Sequence, residues 1–431
     1  MSNASTGQPR GAGADPAAAL GSSSVLRGLF LACSWTWCIG MFLPILLVRD
    51  FGWPGWVAFA VPNVIGAISV GFVFRASGSA ALTADRHSVA LRLFSVWTVL
   101  FHVAFLSWIL TLVFPWLAFS MGEIVVGGVT VWPASMGDGV GAVAVVALLL
   151  IVALMLSGMR TAGWMLGALA VYVMSVVFAV MAWRTTGGRA YAAPPIAGDE
   201  RFPAIVGAAS VMAIGFLTAP HMDLTILRTR HELPGRPGTV AFVIGFGVFF
   251  LSMIGLTLAY STTFLGGLTS YYLVAHIVGQ SVFTMSAHLR ELRTGSIERA
   301  AGRGFPPLLA ATLLLSIVCL GAVRLAYTGA GQTMYELFLA PYALIFPAYA
   351  WIVMVPHRRL TRGADWSATR GARLGLFALA SLLASPALWY AAIGEPKRWV
   401  WASVGAGIVV LAPVFLALMI SEKRAKPTRI A

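Results

Sequence analysis

Close behind Pro220, in the stretch AIGFLTAPHMD (213–223), His221 and Asp223 stand two residues apart inside a long apolar run. A carboxylate in apolar surroundings is costly unless it is paired. Asp223 therefore reads either as a proton carrier or cation ligand, or as a structural partner of His221 or Arg228. His221 has the chemistry to hydrogen-bond a solute or close a gate; the plainer reading is a buried ring satisfied by freed carbonyls. His102, in WTVLFHVAFLSW (97–108), is a second apolar-run histidine with the same two readings. Ser281, Thr284 and Ser286 offer hydroxyls to an ion, or to the helix contacts where such groups are ordinary packing. Arg324 and Glu336 each fall about a turn inside the end of an apolar run, as an ion pair or a gate.

Other chemistry is missing from the sequence. It contains no G-x-x-x-x-G-K-[ST] phosphate loop, no H-E-x-x-H, no G-x-S-x-G and no Cys/His zinc pattern. The reading is therefore not an enzyme, with no cofactor, and with Na+ or H+ as the ion for any coupled process. Cys33, Cys38 and Cys319 match no metal or redox spacing and read as small core residues.

The elements that must position these residues are membrane helices. Only 10% of the 431 residues are charged and 59% are hydrophobic, with a mean hydropathy of +0.86. Soluble domains carry about 25% charged residues, so the composition implies an all-α integral membrane protein. A span needs about 20 mostly apolar residues. Twelve segments qualify, near 25–48, 54–74, 90–118, 139–158, 161–183, 203–227, 239–264, 270–292, 305–327, 332–355, 371–393 and 399–420. Residues 1–24 and 421–431 read as tails, the first of them disordered and too rich in Gly, Ala, Ser and Pro to build a core. With the amino terminus inside, 22 of the 29 Lys and Arg fall on inner segments. Only Arg49, Arg184, Arg189, Arg201, Lys397 and Arg398 fall on outer ones. That asymmetry predicts a multi-pass protein of the cell (inner) membrane with both termini cytoplasmic. It also accounts for the net charge of +14 without nucleic acid. Trp53, Trp56, Trp116, Trp132, Trp183 and Trp399 fall near span ends, as interface anchors do.

Spans one and six share a pattern. CSWTWCIGMFLPILL (33–47) and SVMAIGFLTAPHMDL (210–224) each carry Ile-Gly followed by a proline, Gly40 to Pro44 and Gly215 to Pro220. Glycine and proline lower the cost of interrupting a helix. The freed backbone must then face protein or a cavity rather than lipid. The offset is five spans, so a second copy of five would enter the membrane inverted. Interrupted helices at matching positions of inverted repeats mark a transporter's central site. The residues at the breaks, Trp37, Gly40, Met41, Gly215, Phe216, Thr218 and His221, are the candidate solute ligands together with His102. Asp223, Ser281, Thr284 and Ser286 are the candidate ion ligands, and Arg324 with Glu336 the candidate gate.

The first break, followed by FGWPGWVAFAVPNVIGAI (51–68), resembles the opening helices of the amino acid–polyamine–organocation superfamily. HELPGRPG (231–238) is similar to the Glu-x-x-x-x-Arg-x-Pro region of those permeases in the same loop. FTMSAHL (283–289) is similar to the hydroxyl-bearing helix of the sodium:solute symporters, which share the fold. The resemblance implies a LeuT-type fold, twelve spans with inverted five-helix repeats at 25–185 and 200–356, and an accessory helix pair at 370–420. It further implies that His102 lines the central site, and that the chain is an ion-coupled permease for a small polar solute such as an amino acid. Two alternatives stay open: a non-transporting membrane sensor or scaffold of transporter descent, and a membrane-embedded lipid-modifying enzyme using His102 or His221 as base. Lipid and a small solute are the expected partners, and the sequence leaves a homodimer open.

Overall fold

A computed structural model describes residues 23–113, 124–126, 129–132, 140–185, 187, 201–266, 270–294, 330–355, 370–392 and 398–425. The first span is a pair of helices, α1 (Ser24–Trp35) and α2 (Cys38–Phe51), bent by 63° at Thr36–Trp37. Ser23 caps α1 by accepting the Leu26 amide. Gly52, at φ 68°, supplies the left-handed turn into α3 (Trp53–Val73), with Pro54 in its first turn. A short α4 (Ser79–Arg86) leads to α5 (Ser88–Val113), which is largely buried.

Between α5 and α6 (Val140–Leu156) lies an antiparallel pair, β1 (Ile124–Val126) and β2 (Val129–Trp132). The all-α expectation missed it. The signal was there: two β-branched runs separated in sequence by Gly127-Gly128, a hairpin spacing. The chain continues with α7 (Thr161–Thr185) and α8 (Arg201–Thr218), then a 3₁₀ turn (Ala219–Met222) and α9 (Leu224–Glu232). Next come α10 (Gly235–Ile244), a π-helical turn (Gly245–Phe250) and α11 (Leu251–Leu265), a single long span. The remaining elements are α12 (Tyr271–Thr294), α13 (Gly331–Ala343), α14 (Ile345–Tyr349), a second π turn (Ala350–Met354), α15 (Arg370–Ala392) and α16 (Val400–Ala425).

Among the described residues, eight helices are long and apolar enough to cross a membrane, and the α1–α2 pair makes a ninth span. This is a multi-pass membrane protein. In the twelve-span reading, the span at 305–327 lies outside the described residues. The one at 139–158 corresponds to α6, a shorter apolar helix. The one at 270–292 corresponds to α12, whose buried face is polar. α12 packs against α1, α5, α6 and α7, while α8 packs against α3 and α16. α12 is thus an interior helix, and its polar residues meet protein rather than lipid.

Among the described residues span one is a bent pair, displaced from the expected position, whereas span six runs helically from Phe202 through a 3₁₀ turn to Met222 and is interrupted only at Asp223. Pro44 lies inside α2, and the break falls at Thr36–Trp37, about a turn before Gly40. The reason is where the freed groups go. A proline within a helix forfeits one hydrogen bond, whereas at Thr36–Trp37 side chains replace the missing partners. A Cβ at Gly40 would stand in ordinary contact with Phe250 and Ile254, at 3.7 and 3.8 Å, so this glycine marks no break. In span six the break follows Pro220, and Asp223 is extended and caps α9. Gly215 there admits the Tyr342 carbonyl, 3.2 Å from where a Cβ would stand.

Candidate functional site

His102 is held on α5 by its own turn: Nδ1–H donates to the Thr98 carbonyl at 2.7 Å. That fixes the tautomer, leaving Nε2 to accept the Cys38 amide at 3.2 Å, the first amide of α2. A helix start leaves amides without intrahelical partners. The imidazole supplies one, so His102 secures the broken helix. Trp37, at the break, donates its indole N–H to the Ser34 carbonyl at 2.6 Å. Its ring packs against Trp35, Phe94, Tyr342 and His288, at centroid distances of 4.4 to 5.5 Å. Tyr342 reaches back to Thr98 through its hydroxyl at 2.7 Å. The small cavity lined by Trp35, Trp37, Gly40, Asn63, Phe216 and Tyr342 holds about 10 Å³, room for a single water.

Asp223 is 0% exposed. Its Oδ1 accepts the Thr225 amide at 2.6 Å, the hydrogen bond of an N-cap. Its Oδ2 faces His288 Nε2 on α12 at 3.8 Å, and neither atom has a hydrogen-bond partner. The other ring nitrogen of His288 lies 3.1 Å from Ser95 Oγ on α5. The sequence-based partners of Asp223 are corrected accordingly. His221 turns the other way, 3.5 Å from Ser69 and against Phe74. Arg228 is engaged by both carboxylate oxygens of Glu291, at 2.6 and 2.8 Å. The chain turns sharply through the 3₁₀ segment, which sends His221 and Asp223 to different neighbours despite their closeness in sequence.

The hydroxyls of α12 do not converge. Thr284 donates to the Cys33 carbonyl at 3.3 Å, Ser286 to the Val282 carbonyl of its own helix at 2.6 Å, and Ser281 Oγ has no partner. Thr284 and Ser286 lie about 200° apart around an α-helix, so a shared ion shell across them is not formed. The helix does carry another stripe. His276, Gln280, Thr284, His288 and Glu291, three or four residues apart, are all buried. Both nitrogens of His276, Gln280 Oε1 and His288 Nε2 lack partners, although Gln280 Nε2 donates to Ser175 at 3.1 Å.

Beyond Glu291 the stripe ends in an ion cluster joining three elements. Arg27 of α1 and Arg290 of α12 both contact Glu232 of α9, and Arg228 pairs with Glu291 and also donates to Thr294 at 2.7 Å. Arg290 lies over the Trp164 ring, 5.6 Å from its centroid. The sequence does not predict this cluster: Arg27 and Arg290 count there as loop charges, Arg228 as a loop charge or a partner of Asp223, and Glu232 as part of the HELPGRPG segment.

The remaining candidates make other contacts. Met41 takes part through its carbonyl, which accepts the Tyr260 hydroxyl at 3.1 Å, and Thr218 bonds its own helix at Ile214. Arg324 lies outside the described residues. Glu336 accepts from Gln332 at 2.9 Å, and Gln332 in turn accepts from Arg49 at 3.1 Å. Glu336 and Asp50 edge a cavity of about 300 Å³, mostly apolar, between α2, α8, α13, α15 and α16. Among the described residues no group of three or more His, Cys, Asp or Glu side chains converges as a metal site would.

No family model matches this sequence, and no curated protein matches it. Among solved structures the chain is similar to a manganese transporter of Eremococcus coleocola in complex with an aromatic bis-isothiourea substituted compound. The identity is 11%, the TM-score 0.47, and the match covers 96% of this chain and 97% of that one. Two mutant structures of the same transporter match over the same shares at 12% identity, with TM-scores of 0.45 and 0.46. Likeness at this level says nothing about solute or mechanism here, which rest on the residues described above.

Proposed function

We propose that the chain is a secondary transporter of LeuT-type fold that moves a small polar solute, such as an amino acid, by ion-coupled alternating access. The observation that carries this reading is the broken first span, bent by 63° beside a water-sized space that the end of span six also lines through Phe216 and Ala219. Broken spans place helix ends at mid-membrane, where their dipoles act on a solute's charges. The amino-terminal end of α2 suits an anionic group such as a carboxylate, that of α9 being capped by Asp223. The aromatic walls of Trp37, Phe216 and Tyr342 suit an apolar side chain.

The inverted repeats at 25–185 and 200–356 supply two matching halves, and rocking one against the other opens the site to either face. In the state described, α1 and α9 are tied to α12 by the ion cluster, and the central space admits no solute. Release of that cluster frees the two short half-helices to swing away together. Both termini lie on the cytoplasmic side in this reading, which the charge asymmetry of the loops supports.

The experiment is uptake by proteoliposomes under an imposed ion gradient, across a panel of amino acids and other small polar solutes. Gradient-dependent accumulation of one class supports the reading. A purified, folded protein that binds a solute yet never accumulates it is the sensor or scaffold of the alternative.

A further inference from the structure

Asp223 and His288 form a buried pair with an open hydrogen-bonding position on each side. Asp223 Oδ2 and His288 Nε2 face each other across 3.8 Å, both fully buried and both without another partner. Their outer positions are taken, Oδ1 by the Thr225 amide and Nδ1 by Ser95. The pair therefore presents one vacant locus between a carboxylate oxygen and an imidazole nitrogen.

The charged and titratable groups around that locus do not fill it. On α12, Glu291 is anionic and is bound by Arg228 of α9, so those two charges cancel. His102 of α5 is committed at both nitrogens, to the Thr98 carbonyl and the Cys38 amide. Tyr342 of α13 is bonded to Thr98, and Cys38 opens α2. An ionised Asp223 beside a neutral His288 would leave a net negative charge in a sealed interior, which is strongly disfavoured. A sodium ion needs several oxygen ligands, and an imidazole nitrogen occupies the facing side. The hydroxyls of Thr284 and Ser286 are spent elsewhere.

We propose that Asp223 and His288 together bind one proton between Oδ2 and Nε2, and that this proton is the coupling ion of the transporter. The inference rests on the transport reading for its second half only. Binding adds one proton to the pair and breaks no bond. The pair passes from net negative to neutral, and the proton leaves to water when the site opens. Because Asp223 caps α9 and His288 belongs to α12, loading the site draws those two elements together.

The test reads the proton directly. Infrared spectra of the purified wild-type protein are recorded in detergent from about pH 4 to about pH 9, a range spanning ordinary carboxylate and imidazole titration. The expected result is a buried carboxyl or imidazolium band that titrates in the wild type. It should vanish in Asp223→Asn and titrate at a different pH in His288→Gln, with no displacement by sodium. His288→Gln retains a polar side chain, so it serves if Asp223→Asn fails to fold. A spectrum with no titrating band that responds to either substitution overturns the proposal, as does sodium displacing the proton. If the band behaves as expected but proteoliposomes accumulate nothing, the proton site stands and the transport reading falls. Accumulation driven by a sodium gradient and indifferent to pH overturns the coupling role while leaving transport intact.

Discussion

Two polar regions sit within about a turn of each other on α9 and α12, yet they are built differently. At the end of the bundle, Arg228 and Glu291 meet with two short hydrogen bonds, and Arg27 and Arg290 gather on Glu232. Around the helix break, Asp223 and His288 face each other at 3.8 Å with their inward atoms unsatisfied. The first region matches full charges with full charges and holds helices in place. The second leaves a locus open in the interior and suits a change of state. The same two helices therefore carry a lock and a site, and disturbing one should differ in kind from disturbing the other.

The largest effect on stability should come from the lock. Glu291→Ala removes the carboxylate that takes two hydrogen bonds from Arg228 Nε, leaving Thr294 at 2.7 Å and Glu232 at 3.9 Å beside a buried guanidinium. Removing one partner of a buried pair costs about 3–5 kcal/mol. Thermal unfolding in detergent would show it, and a change below about 1 kcal/mol would mean that the cluster is solvated and no lock. A smaller loss is expected for His102→Leu, which deprives the Cys38 amide of its acceptor and the Thr98 carbonyl of its donor. An orphaned buried group costs about 1–3 kcal/mol, again read from unfolding. Asp223→Asn should fall lower still, under about 1 kcal/mol, because asparagine caps a helix nearly as well as aspartate. Its effect belongs to transport, and gradient-driven accumulation should be lost while the protein unfolds near the wild-type temperature.

The smallest effect separates these interior regions from a peripheral titration. His87, between α4 and α5, sits 3.1 Å from the Tyr349 hydroxyl. Burial first, then the charges of Arg370 and Arg86, lower its pKa to about 4. The unfolded chain binds this proton at a higher pH, so His87 favours the fold above about pH 6.5. That contribution is lost as pH falls toward about 4. His87→Gln should flatten the stability profile in that window and leave neutral pH unchanged, in unfolding measured across pH.

How much of this the sequence disclosed depends on whether a feature is local. Pro220 and Asp223 mark the second break because a missing amide and a capping carboxylate act within a few residues. The first break was misplaced by about a turn, because Pro44 is tolerated inside α2 while His102, from a distant helix, decides where α2 begins. His276, Gln280, Thr284 and His288, four residues apart, mark 270–292 in the sequence as a helix lining a polar interior rather than one facing lipid. His288 gains its meaning from Ser95, 193 residues away, and from Asp223 on another helix. Neither contact leaves a trace in spacing. The ion cluster was hidden for the same reason, since charges near span ends satisfy the loop asymmetry whether or not they meet.

The central claim is that α1 and α9 swing from α12 when the lock opens, and it can be measured without knowing the solute. Spin labels at Val25→Cys on α1 and Arg293→Cys on α12, with Cys33, Cys38 and Cys319 replaced by alanine, report the distance by pulsed electron resonance in nanodiscs. Two distance populations are predicted in the wild-type background, with the longer one dominant once Glu232→Gln removes the shared carboxylate of the cluster. A single distance, unchanged by Glu232→Gln and by pH, would contradict an alternating-access transporter and leave a rigid membrane scaffold.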